Sequence, residues 1–304
     1  MMKTRRKHHP IRDTLGDKLF YAACYLITAL FMLAVLYPLV YILSASFSSA
    51  DAITSGRMWL YPVDFSLVGY KYILKYDAIW LGYRNTLFYT FAGTLINVAM
   101  TMTCAYGLSR RGMRGRRFFT MLFTFTMIFS GGMIPNYLLM KNLKILNTVW
   151  CMLLPGAISA YNLIVAKTFI ENSIPGDLLE AARIDGCSDV RFFFSIVLPL
   201  SKAIMAVMVL YYGVGHWNEY FSAMLYLPQA KNLWPLQLVL RSILIQSQPE
   251  SGMIADIQST AERAKMAELL KYATIIISSL PLLVMYPFFQ KYFDAGIMAG
   301  SIKG

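Results

Sequence analysis

Six apolar runs, each long enough to cross a bilayer, dominate the chain: approximately 19–47, 86–108, 118–140, 149–169, 203–225 and 272–289. A helix needs about 20 apolar residues to cross the hydrocarbon core. In lipid every backbone N–H and C=O must be paired within the protein, so a spanning segment is a helix or part of a closed barrel. The runs lack the roughly ten-residue alternation of barrel strands. The expected fold is therefore an all-α integral membrane protein with six transmembrane helices. Composition points the same way: of 304 residues, 57% are hydrophobic and 14% charged, against about 45–50% and about 25% in soluble domains. An ordinary soluble enzyme and a disordered chain are excluded.

Basic residues set the expected orientation, because they are retained in cytoplasmic loops. Lys3, Arg5, Arg6, Lys7, Arg12 and Lys18 crowd the N-terminal tail, and Arg110, Arg111, Arg114, Arg116 and Arg117 fill the loop after the second run without one acid. An even number of spans lets both be cytoplasmic, with both termini inside. The formal charge of +12 then reflects topology and not nucleic acid. The predicted organisation is a basic tail (1–18), a first transmembrane helix (19–47), an external loop (48–85), a five-helix core (86–290) and a cytoplasmic tail (291–304). Within the core lie a cytoplasmic loop (171–200) and a second external loop (226–271). The run at 19–47 is too long for a signal-peptide core and reads as a retained span. The stretch 236–245, interrupted by Arg241, is too short to span and is expected along the outer surface or against a partner subunit. Cys24, Cys104, Cys151 and Cys187 form no C-x-x-C pair and read as small buried hydrophobes.

The cytoplasmic loop 171–200 carries the most local information. Pro175 and Asp177 suit the first turn of a short helix. Leu178, Leu179, Ala182 and Ile184 give it an apolar side, and Gly186 suits its stop, where a positive φ is needed. Ser188 can cap a second short helix with Phe192, Phe193 and Ile196 beneath it, and Pro199 is expected to end it. The result is a bracket of two short helices between two spans. It is either an interfacial loop or a docking element, with Ala181 and Ala182 permitting close approach and Glu180 and Asp185 offering charge.

Glu180-Ala181-Ala182, then Gly186 after three residues, then Ile196-x-Leu198-Pro199 after nine more resembles the EAA signature of permease subunits of binding-protein-dependent ABC importers. The resemblance implies a type I ABC importer permease fold in which this loop forms cytoplasmic EAA coupling helices. It implies a second permease, two ATPase subunits and an extracytoplasmic binding protein as partners, in a bacterial cytoplasmic (inner) membrane. ATP and magnesium would sit on the ATPase. Glu180, Ala181, Ala182 and Gly186 carry over as coupling residues, with Arg183 and Asp185 beside them. Ile134-Pro135, Leu146-Asn147-Thr148, Gly215-His216-Trp217-Asn218 and the ending Tyr292-Phe293, Gly296 and 300–304 resemble the carbohydrate-uptake, maltose-permease-like branch. The ending is similar to a subgroup importing oligosaccharides from plant or algal polysaccharides, and by the same resemblance it would reach the ATPase.

Read at about 100° per residue from Tyr211, the fifth run places Asn218, Ser222, Gly215, Glu219, Tyr212 and His216 between about −20° and +140°. Polar groups at membrane depth face a cavity or another helix. Tyr211, Tyr212, Asn218 and Glu219 are therefore candidates for a sugar pathway. Counted from about Ser201, Glu219 lies roughly 27 Å along the span, where an interfacial role competes, and Trp217 is expected as an outer-face anchor. Asn97, Asn136 and Asn162 either line the pathway or pack, with packing preferred. No G-x-x-x-x-G-K-[S/T], H-E-x-x-H or nucleophile elbow occurs, and His216 alone makes no metal site. The chain reads as a non-catalytic transport subunit with no cofactor of its own. The same architecture for a non-sugar solute is an alternative. An ion-coupled secondary transporter would need buried acids near the midplane, and only Glu219 lies in an expected span. Neutral and uronic-acid oligosaccharides both stay open.

Overall fold

In the computed structural model, residues 14–245 and 260–301 are described. Most of the basic tail, part of the second external loop and the last three residues of the C-terminal tail lie outside the described residues.

Described residues are helical or irregular, with no strand among them. Helix α1 (Leu15–Ser46) starts in a capping box: the Thr14 hydroxyl accepts from Asp17 N–H at 3.2 Å, and the Asp17 carboxylate accepts from Thr14 N–H at 2.9 Å. Such a box satisfies two of the donors that a helix start leaves orphaned. Two short helices, α2 (Ala50–Thr54) and α3 (Val68–Lys75), lead into the long rod α4 (Asp77–Ser109). Then follow α5 (Arg116–Ile128), α6 (Met133–Asn142), α7 (Trp150–Leu153) and α8 (Ala160–Ser173). The bracket comprises α9 (Gly176–Ile184) and α10 (Asp189–Phe192), continued by a π-helical stretch Phe193–Val197 and the short α11 (Leu198–Leu200). After it come α12 (Lys202–Asn218), α13 (Phe221–Tyr226), a 3-10 turn Lys231–Leu233, α14 (Leu236–Ile245) and α15 (Thr260–Ser301).

Three described helices are long and apolar enough to cross a membrane unbroken: Leu15–Ser46, Asp77–Ser109 and Lys265–Val284 within α15. The other three expected runs are interrupted. The run 118–140 bends by 116° between α5 and α6, where Gly132 takes a φ of +86°. The run 149–169 is broken between α7 and α8 at Pro155-Gly156, with Gly156 at +71°. The fifth is preceded by an 80° bend between Leu200 and Lys202, and its helix stops at Asn218. Apolarity averaged over a run does not register these breaks; the Gly-Gly and Pro-Gly pairs do. Glu219 is extended, at φ −72° and ψ 117°, so the helical spacing read through Ser222 is cut one residue beyond α12. Helix α15 begins inside the segment expected as external loop and runs into the expected tail. Its first turns, Thr-Ala-Glu-Arg-Ala-Lys-Met-Ala-Glu, are polar but rich in strong helix formers.

The core is built around α4. At one end Met102, Ala105 and Leu108 pack with Leu163, Ala166 and Ile170 of α8, Phe192, Val197, and Ile204 and Met208 of α12. At the other, Tyr89 packs with Cys151, Met152, Ala223 and Leu238. Helix α1 joins the rest through its C-terminal turns, where Ala45 packs with Leu269 of α15; its buried residues are Ser44, Ala45 and Ser46, and Cys24 is exposed on it. Trp217 is not an outer-face anchor. It is 2% exposed, packs on Tyr83 with ring centroids 6.3 Å apart, and donates its indole N–H to Ser278 O at 3.3 Å. The apolar back of α12 meets α15, which turns this ring inward.

Candidate functional site

The bracket is the first candidate. Helix α9 follows Pro175 and ends where Asp185 N–H donates to Ala181 O at 3.0 Å and Cys187 N–H to Ala182 O at 2.8 Å. That closure puts Gly186 at φ +73°, a region that costs an L-residue with a Cβ about 1–2 kcal/mol. Nothing lies within 4 Å of a Cβ added there. Ser188 caps α10 by accepting from Arg191 N–H at 3.3 Å. Phe192 and Phe193 are buried beneath it. Pro199 does not terminate the second helix; helical geometry continues to Leu200 and ends at Ser201.

The predicted coupling residues fall into two groups. Ala182 is buried and seats α9 on the core. Glu180, Ala181, Arg183, Asp185 and Gly186 are exposed. Asp177, Glu180, Ala181 and Ile184 follow the i, i+3, i+4, i+7 spacing of a single helix face. All four are exposed, and Ile184 is 87% so. Arg183 reaches back to Asp189 at 3.4 Å. The bracket thus presents a short face of acids, an alanine and a bare isoleucine, held rigidly from behind.

The second candidate is a polar layer within the α4–α8–α12 packing. The Asn97 amide donates to Gly156 O at 3.0 Å and Ala157 O at 3.1 Å, and its oxygen lies 2.9 Å from His216 Nε2. The Tyr212 hydroxyl accepts from Ser159 N–H at 3.1 Å and pairs with the Thr101 hydroxyl at 2.7 Å. These side chains serve backbone groups freed by the Pro155-Gly156 break. Away from water such groups must find protein partners. Gly93 makes room for the layer: a Cβ there would overlap the His216 ring.

The four pathway candidates have separate roles. Tyr212 is buried in the polar layer, whereas its neighbour Tyr211 is 44% exposed. Asn218 donates to Val214 O within its own helix at 3.0 Å. The Glu219 carboxylate accepts from Ser222 N–H at 2.9 Å, at the start of α13. Asn162 is buried and Asn136 exposed. Among the described residues, no group of three His, Cys, Asp or Glu is placed to hold a metal.

Two charged features had no sequence signal beyond their basic loop. Glu171, near the end of α8, pairs with Arg116 and, at 3.2 Å, with Lys167. Arg116 Nε also donates to Leu108 O at 2.8 Å, so this cluster joins α4, α5 and α8. Arg110 lies over the ring of Tyr106, 4.1 Å from its centroid.

Residues 76–299 match the family described as binding-protein-dependent transport system inner membrane component. The chain is 41% identical to the polygalacturonan/rhamnogalacturonan transport system permease protein YtcP of Bacillus subtilis (strain 168), over 95% of this chain and 100% of that protein. It is 40% identical to Protein LplC of the same organism, over 88% and 89%. A crystal structure of a bacterial ABC transporter involved in the import of the acidic polysaccharide alginate contains a chain that superposes with a TM-score of 0.87 at 34% identity, covering 93% of this chain and 99% of that one.

Proposed function

The chain belongs to the family of binding-protein-dependent transport system inner membrane components, and from that premise we propose that it forms one half of the pathway of an ATP-driven oligosaccharide importer. A second, homologous permease completes the pathway, two ATPase subunits dock on one side, and a binding protein delivers cargo on the other. The α9–α10 bracket faces the cytoplasm with both chain termini, and α9 is the coupling helix. Six crossings result when each interrupted run is taken as one span.

The uncovered face of α9 carries this reading. Asp177, Glu180, Ala181 and Ile184 project from a helix whose back is fixed by Ala182. An exposed isoleucine beside acids suits a cleft that offers an apolar floor and basic walls, and the open space around Gly186 lets another surface approach the backbone. Movement of the ATPase pair on binding ATP would then displace the bracket. ATP drives transport through its greater affinity for the closed state.

The cargo class is an acidic oligosaccharide. Support comes from the permease named for polygalacturonan and rhamnogalacturonan and from the transporter described as importing acidic alginate. Tyr211 and Asn218, exposed on α12, line the pathway against the second permease. Tyr212 and Glu219 act from behind, one holding the α7–α8 break and the other the start of α13.

Co-purification of the tagged chain from detergent-solubilised native membranes tests the assembly. The expected result is a second multi-span permease and an ATPase in the complex, with ATP-dependent uptake of a galacturonate oligomer after reconstitution with the cognate binding protein. An active preparation of this chain alone, driven by an ion gradient, would overturn the reading.

A further inference from the structure

Arg110 sits one residue beyond α4, between rings from two different elements. Its guanidinium carbon lies 4.1 Å from the centroid of the Tyr106 ring on α4 and 5.1 Å from that of Phe192 on α10. Its Nε and Nη2 are buried and make no hydrogen bond. A guanidinium carries five donors, and acceptors usually meet them. Here aromatic faces hold the cation, an attraction that strengthens as water is excluded, and the nearby Asp189 carboxylate adds a coulombic attraction. Tyr106 completes the joint. Its hydroxyl donates to Asp189 O at 3.2 Å, and its ring lies 5.0 Å from that of Phe193. The last turn of α4 and the first turn of α10 are therefore fastened at one point.

From this joint α4 continues as unbroken helix to Thr101 and Asn97, a distance of roughly 20 Å at about 1.5 Å per residue. There it meets Tyr212 and His216 of α12 and holds the carbonyls of the α7–α8 break. Packed side chains, hydrogen bonds and rigid helices are the physical carriers of coupling between distant sites. The inner end of α4 grips the bracket and its middle grips the interrupted span.

We propose that Arg110 is a positioning residue for transport: it pins the docking bracket to α4, so that displacement of α9 and α10 is carried along α4 to the Asn97–His216 layer. This rests on the reading that the bracket docks on an ATPase. Without the pin the bracket would still dock, but its motion would be lost between α10 and α4. Arg110 projects into the interior of the joint, so it is not itself part of the docking face.

The test compares Arg110→Met, which keeps the stem without the cation, with Arg110→Lys, which keeps a cation for the two rings. Each replaces the wild-type chain in the full complex. Three quantities are measured: recovery of the ATPase on co-purification, ATP hydrolysis, and uptake of a galacturonate oligomer. For Arg110→Met, wild-type recovery and basal hydrolysis are expected, with at least a tenfold loss of uptake per ATP hydrolysed. Arg110→Lys should restore most of that ratio. An unchanged ratio in Arg110→Met overturns the proposal. So does loss of assembly in step with uptake in both variants, which would make Arg110 a folding residue only. Failure of the wild-type complex to hydrolyse ATP or take up any oligosaccharide would instead strike at the importer reading itself.

Discussion

Asn97 Oδ1 lies 2.9 Å from His216 Nε2, while the amide nitrogen of the same Asn97 reaches the carbonyls of Gly156 and Ala157. One side chain thus ties α12 to α4 and pairs the carbonyls left free at the Pro155-Gly156 break between α7 and α8.

Replacing Asn97 by Leu removes the partner of two carbonyls and of the imidazole at once. Each orphaned buried group costs about 1–3 kcal/mol. The Asn97→Leu complex is expected to melt several degrees lower in detergent and to transport poorly. An unchanged melting temperature would mean that the break is held by other groups.

Gly93 and Gly213 should respond differently to alanine. A Cβ at Gly93 would overlap the His216 ring, whereas at Gly213 the nearest atom is Thr94 Oγ1 at 3.7 Å, an ordinary contact. Overpacking costs about 1–3 kcal/mol. Gly93→Ala is expected to destabilise the complex by that amount, with Gly213→Ala near wild type. Thermal unfolding of the two side by side decides it.

Substitutions at Gly186 separate strain from docking. The position has a φ of +73° and free space around it. Gly186→Ala should insert and lose about 1–2 kcal/mol locally, retaining much of its uptake. Gly186→Trp should insert equally well and abolish uptake, because the ring would project from the proposed docking surface. Equal uptake by the two variants at equal membrane levels would remove Gly186 from the coupling contact.

Glu171→Gln leaves Arg116 and Lys167 without their shared carboxylate. The Glu171 side chain is 25% exposed, so solvent screening holds the expected loss to about 1 kcal/mol. The loss should shrink as salt is raised. A salt-independent loss would point to packing at the α4–α5–α8 junction as the cause.

Much of the architecture is legible in the sequence because bilayer physics is demanding. The long apolar runs at α1, α4 and α15 stand out, and Gly186 and Ser188 announce the helix stop and cap that shape the bracket. The interruptions are harder to see. Pro155-Gly156 and Gly131-Gly132 are local signals inside windows whose average apolarity is high. Gly215, His216 and Asn218 are helix-stop signals just before the break after α12, but they are masked by the apolar run that continues through Leu225. Tyr212 and His216 were visible as polar residues on one arc. Which partners they face depends on α4 and on the break before α8, relations across more than 50 residues that periodicity cannot supply. Arg110 shows the same limit: it reads as one more cation in a basic loop until Tyr106 and Phe192 are seen to enclose it.

The most direct test of coupling through α9 places a photo-crosslinking amino acid at Ile184, the barest apolar side chain of that helix, in the complex within native membranes. The expected result is a light-dependent adduct containing the nucleotide-binding ATPase subunit, its yield changing when ATP is added and falling sharply in the Gly186→Trp background. An intact, transport-active complex in which Ile184 labels lipid and never the ATPase would contradict it.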